Sequence, residues 1–209
     1  EVPAADQTWS QPRAYNGSRL PTDDENHPAS SICYNDATAF CAWLGKKEGR
    51  TYRLPSDREW SFAVGIGDDE SPVKEPMALS GAITDKYPWG TYWPPKQGDG
   101  NYAEASFMKK MPVTVAFGEM AEYDDGHATT APVMSFKANS LGIFDLGGNV
   151  YEWCQDRIAS SDDRNCIMRG SSWFYMDRHR MRSSFRHVTG PTDRSANLGF
   201  RCVLELSEE

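Results

Sequence analysis

From about residue 66 to residue 140 the chain has no sustained apolar period of either 3.6 or two residues, and this limits the possible folds more than any other feature. The stretch is punctuated by YPWG, WPP, GDGN and YDDG, all turn-forming combinations. So long an irregular path inside a compact domain is unusual unless something fixes it, and a bound metal ion is one candidate. A fold that accepts it must be rich in loops, which 17 Gly and 13 Pro in 209 residues suit. The 7 Trp, 9 Tyr and 9 Phe can supply much of the buried area of a single core.

Regular elements are expected on either side. Residues 1–30 are polar, broken by Pro and Gly, and read as an extended lead-in to one domain over 31–209. NDATAFCAWLGKK, from Asn35 to Lys47, spaces Ala37, Phe40, Cys41 and Leu44 at helical steps, with Asn35 as cap and Gly45 and Gly49 as stops. A second helix is expected after Leu54-Pro55, where Ser56 and Glu59 form a capping box and Trp60 and Ala63 face inward. Short strands are expected at LGIFDL, VYEWCQD, CIMRGSSW and GFRCVLEL. Two helices beside small, turn-rich strands make an α+β domain.

The net charge of -8 argues against nucleic acid as a partner, since phosphate binding needs a basic face. Between Arg169 and Arg201, however, seven Arg stand against two Asp, which leaves one basic stretch in an acidic chain. No apolar run reaches the roughly 18 residues of a membrane helix. The opening EVPAAD suits the mature end of a processed precursor, which would leave room for a lipid anchor lost upstream. The cysteines, at 33, 41, 154, 166 and 202, show no zinc spacing. Two disulfides and one free thiol are expected in an exported protein, five reduced core cysteines in a cytosolic one.

Read in order, DATAFCAWLG, YRLPSDREW, YPWG, APV, LGIFDLGGNVYEW, RGSSW and NLGFRCV resemble the blocks of the formylglycine-generating-enzyme/sulfatase-modifying-factor family. They run from about residue 31 to 204. The resemblance implies a C-type lectin-like fold with little regular structure, usually held by calcium. The family's oxidases use two cysteines just after the RGGS-like block to hold copper and to oxidise a substrate cysteine. Those positions fall at about Arg178 and Ser183 here, and no cysteine lies between Cys166 and Cys202. Neither a guanidinium nor a hydroxyl supplies a soft copper ligand, so neither copper nor oxidase chemistry is expected. Fold alone does not give function.

The resemblance also implies two calcium sites built of hard oxygen ligands. The first would use the side chains of Asn101 and Asp125 and the carbonyls of Tyr102 and His127. The second would use the side chains of Asp145 and Glu152 and the carbonyls of Gly148 and Val150. The alternative for the carboxylates is pairing with arginines or capping of turns. Cys41 and Cys202 match positions that pair in family members. Cys154 and Cys166 flank a short loop that they could close, which leaves Cys33 over.

The segment Trp173 to Asn197 reads as a surface path, mixing aromatic, Arg, His, Asp and Ser residues as binding surfaces do. The expected ligand-binding residues are Trp173, Phe174, Tyr175, Asp177, His179, Arg180, Ser183, Phe185, His187, Val188 and Asn197. Arg182, Arg186 and Arg201 look like framework positions. The chain further resembles variable proteins of diversity-generating retroelements, bacterial proteins of this fold whose last segment, ending near GFR, is diversified for ligand binding. The expected function is therefore a non-catalytic protein, extracytoplasmic and at the cell surface or secreted, that binds a protein or glycan. The alternatives are a family oxidase and an accessory module with no ligand of its own.

Overall fold

A computed structural model describes residues 25–103, 107, 120, 122–158 and 165–206. The lead-in up to residue 24 lies outside the described residues. Helix α1 runs Tyr34–Glu48, one residue earlier than the periodicity suggests. Its N-cap is Cys33 rather than Asn35, because the Asp36 carboxylate reaches back to accept the Cys33 N–H at 3.2 Å. Gly49 ends the helix in the left-handed conformation. Gly45 lies within α1, where a Cβ would stand 2.7 Å from the Arg50 carbonyl.

After β1 (Tyr52–Arg53), helix α2 (Asp57–Val64) starts at the expected capping box: Ser56 Oγ accepts the Glu59 N–H, and the Glu59 carboxylate accepts that of Ser56. Trp60 is buried beneath it. A single turn, α3 (Pro76–Leu79), follows. LGIFDL is not a strand. The Asn139 amide oxygen accepts the Leu141 and Ile143 N–H groups, both at 3.0 Å, and folds the segment into a tight turn instead.

The main sheet has the order β4-β3-β2-β5, from His187–Thr189, Asn165–Arg169, Tyr151–Ile158 and Leu198–Gly199. GFRCVLEL splits: its start is β5, and β6 (Val203–Leu204) leaves to pair with β1. The strands are antiparallel except for β5, which runs parallel to β2.

Alternation along β2, β3 and β4 sorts the core onto two faces. Tyr151, Trp153, Cys166 and Met168 pack with α1 residues Tyr34, Ala37 and Cys41. Cys154 and Ile167 face the other way, toward Trp60 and Val64 of α2. Cys154 and Cys166 are therefore on opposite faces, and the structure does not offer them as a bridge. Among the described residues no helix is long and apolar enough to cross a membrane.

Candidate ligand-binding surface

The segment after β3 is fastened from below by two arginines. Arg169 and Arg186 have fully buried side chains, and both ion-pair with Asp57 at the start of α2. Arg186 also forks onto Glu70, with Nη1 and Nη2 at 2.5 and 2.7 Å from its two oxygens. Each arginine then donates into the segment itself, Arg169 to the carbonyls of Ser183 and Phe185 and Arg186 to that of Ser184. Burial by itself would push the Asp57 carboxyl up, but the two guanidinia hold it below the usual carboxylate range. Two cations against two carboxylates make a neutral buried unit.

On this footing stands a run of rings. His179 meets Phe185 edge-on at 5.0 Å, Phe185 meets His187 at 6.3 Å, and His187 meets Tyr151 at 5.9 Å. Tyr151 meets Tyr175 at 5.5 Å, Tyr175 meets Phe174 at 5.4 Å, and Phe174 reaches Trp173 and Phe107. The Arg180 guanidinium lies 4.5 Å from the Tyr175 ring centroid, with Asp177 beside it at 3.5 Å. Phe174, Tyr175, Arg180, Phe185 and His187 are half-buried, while Asp177 and His179 are exposed. Burial, then the Arg180 charge, pushes the His187 imidazole below its ordinary value, so it is neutral at pH 7.

Three expected ligand residues are placed differently, and a fourth is held by its neighbours. Trp173 is buried and donates to the Ala196 carbonyl at 3.4 Å, so it is core. Ser183 is buried as well. Val188 points through β4 to the opposite sheet face and packs against the Trp60 cluster. Asn197 is half-buried and bridges Ser195 and Ser172, at 2.5 and 2.9 Å. Val188 is turned inward by the alternation of β4.

Other neighbours escaped the sequence reading. Tyr151, inside the GNVYEW block, is the hub of the ring series. Arg178 donates to the Tyr87 hydroxyl at 2.7 Å and sits 5.8 Å from the Trp93 ring, extending the surface onto the YPWG loop. The pairing of Arg182 with the Gly81 carbonyl is likewise invisible in sequence.

The two sets of calcium ligands differ. Asn101 Oδ1 is buried with no hydrogen-bond partner among the described residues, an orphan that a hard cation would satisfy. Asp125 stands beside it, accepting the Tyr102 and His127 N–H groups at 2.8 and 2.9 Å. The residues of the first set therefore fit calcium. In the second set, Glu152 is already forked by Arg201, at 2.5 and 2.7 Å, and takes a third bond from the Trp60 indole at 3.0 Å. An internal cation fills that role, and the set does not fit a second ion. Cys41 and Cys202 have their sulfurs 3.3 Å apart.

Residues 2–206 match the family described as the sulfatase-modifying factor enzyme 1-like domain. Over 200 residues the chain is 34% identical to the inactive C-alpha-formylglycine-generating enzyme 2 of Bos taurus, covering 93% of this chain and 55% of that protein. It is 29% identical over 212 residues to the formylglycine-generating enzyme of Streptomyces coelicolor, with 93% and 57% covered. The chain thus spans little more than half the length of these relatives. PvdO from Pseudomonas aeruginosa superposes with a TM-score of 0.58 at 26% identity, covering 87% of this chain and 63% of that one. Treponema denticola variable protein 1 superposes with a TM-score of 0.60 at 19% identity, over 92% and 76%, a likeness of fold alone.

Proposed function

The chain belongs to the sulfatase-modifying factor enzyme 1-like domain family, with the C-type lectin-like α+β fold of that group, and from this premise we propose that it is a binding module without oxidase chemistry. Its ligand is a protein or a glycan, met by the segment from Phe174 to His187. One observation carries the reading: in the segment where the family's oxidases place thiols, this chain has no cysteine but a rigidly footed set of rings and an arginine. A cysteine-free cleft cannot hold copper through thiolates. Half-buried aromatics with a neighbouring guanidinium are the usual stuff of binding hot spots. The 34% identical relative that is named inactive is consistent with this. The fold likeness to a variable protein leaves diversification of the segment as part of the proposal.

Calcium belongs to the proposal as a structural ion. Asn101, Asp125 and the carbonyls of Tyr102 and His127 would hold it, pinning the irregular middle of the chain. An extracytoplasmic, surface-displayed location goes with a Cys41–Cys202 bridge.

The test is a screen of the intact chain on protein and glycan arrays, repeated with His179→Ala/Arg180→Ala. Binding that falls at least tenfold with an unchanged melting temperature supports the reading. Conversion of a cysteine peptide to an aldehyde by the purified chain overturns it.

A further inference from the structure

We propose that the recess beside Tyr175 is a site for a single neutral sugar ring. This rests on the binding reading above and names its ligand class. The recess holds about 320 Å³ between Tyr175 and the turn after β4. That is the small end of ligand pockets, which run from roughly 300 to 1,000 Å³, and suits one ring better than a chain. The half-buried Tyr175 gives it an aromatic wall, held by the edge of Tyr151, and Leu198 closes the floor.

The rim decides the class. It carries one anion and one cation, and among the described residues only the cation is ion-paired within the protein. Asp193 Oδ2 accepts the Thr189 hydroxyl and the Gly190 N–H, the latter at 2.8 Å. Arg194 ion-pairs with Asp36 and donates to the Ser31 carbonyl at 3.1 Å. An anionic ligand would find no free cation at the rim, because Arg194 is already paired with Asp36. Around these stand the Ser195 hydroxyl, which donates to Asn197 Oδ1 and keeps its own oxygen as an acceptor, and the second oxygen of Asp193. A purely apolar side chain seated here would strip water from them without replacing its hydrogen bonds, at a cost of about 1–3 kcal/mol per group. A sugar ring meets both demands: its C–H face lies on an aromatic wall, and its hydroxyls bond at the rim.

The intact chain is titrated with methyl glycosides of neutral hexoses and N-acetylhexosamines, read by saturation-transfer NMR and calorimetry. At least one glycoside is expected to saturate in the millimolar range. Ser195→Trp, which plugs the recess from an exposed rim position, should weaken it at least tenfold with no change in melting temperature. Asp193→Asn should weaken it severalfold. If no glycoside saturates, or if Ser195→Trp leaves the affinity unchanged, the sugar site is overturned. A protein partner captured through His179 and Arg180 while every glycoside fails removes the sugar site and leaves the binding module standing. Failure of both removes both.

Discussion

Arg180 and Arg186 lie six residues apart in one segment, yet they belong to different regions of the molecule. Arg186 has no exposed side-chain surface and joins Asp57 and Glu70 beneath the segment. Arg180 has a 40% exposed side chain and spreads over Tyr175 on top of it. The lower region is a framework whose charges are all spent internally, and the upper one is a face whose polar groups are still available. The contrast teaches that in this fold the framework is what frees the face: rings and charges can stand half-exposed because the backbone beneath them is tied down by Arg169 and Arg186. The sharpest way to break this picture is Arg186→Met. It strands Glu70 without its cation and leaves Asp57 with Arg169 alone, so unfolding free energy should fall by about 3–5 kcal/mol in chemical denaturation. A loss below 1 kcal/mol would mean the framework is not what holds the segment.

A bridge between Cys41 and Cys202, whose sulfurs are 3.3 Å apart across a sequence separation of 161 residues, would give the framework a second fastening. The hydrogen bond with Cys202, reinforced by burial, pushes the Cys41 thiol far up, so within this pair Cys202 is the sulfur that ionises more readily. Protein made in an oxidising compartment should show three free thiols, not five, on titration under denaturing conditions. Reduction should then cost about 2–4 kcal/mol of stability. Five thiols in such a preparation would take the bridge out of the framework.

What could be read from sequence divides along the same line. The Ser56–Glu59 capping box is a contact three residues long, and it was legible for that reason. The strand at VYEWCQD was legible from its pattern, while the framework roles of Arg186 and Arg201 came from the family resemblance. LGIFDL looked like a strand because its apolar pattern is one, but a single Asn139 side chain outbid it for the backbone N–H groups. Three-residue β4 was hidden because its partner, β3, makes it a strand, and so Val188 was assigned to the wrong side. Glu152 was an ion ligand by family resemblance, with pairing to an arginine as the alternative, and only the fold identifies that arginine as Arg201, 49 residues away. Local chemistry was readable; long-range pairing was not.

The first calcium set extends the framework into the irregular middle of the chain. Calcium at about a hundred times its dissociation constant should add roughly 2.7 kcal/mol to unfolding free energy. A chelator should therefore lower the melting temperature, and Asn101→Leu should remove that response. Binding should stop at one ion per chain, because Arg201 already stands at Glu152. Two ions by calorimetry would show that the internal cation is no substitute.

His187 sits at the border of the two regions, its ring against Tyr151 and Phe185, its Nδ1 accepting the Val188 N–H at 2.8 Å. Burial and Arg180 depress its pKa in the folded chain, so the sign is fixed. Above the unfolded value of about 6.5 the group costs nothing. As pH falls below it, the unfolded chain takes the proton first, and stability drops until the folded pKa is passed. His187→Phe should flatten the pH dependence between 7 and 5; an unchanged slope would place the titration elsewhere.

The smallest effect on stability is expected where the effect on binding is largest. Arg180→Ala removes an exposed pairing with Asp177 and a contact with one ring face, so unfolding free energy should change by less than about 1 kcal/mol. The same change uncovers Tyr175 and removes the one guanidinium centred on the face, so partner affinity should fall at least tenfold. Arg180→Lys is the informative companion. A lysine keeps the charge but not the flat, weakly hydrated surface that lies on an aromatic ring. If Lys restores binding, charge alone recruits the partner; if it fails as Ala does, the stacked guanidinium is itself part of the contact. Should Ala destabilise the chain as much as Arg186→Met, face and framework would be one structure, and the division between them would be lost.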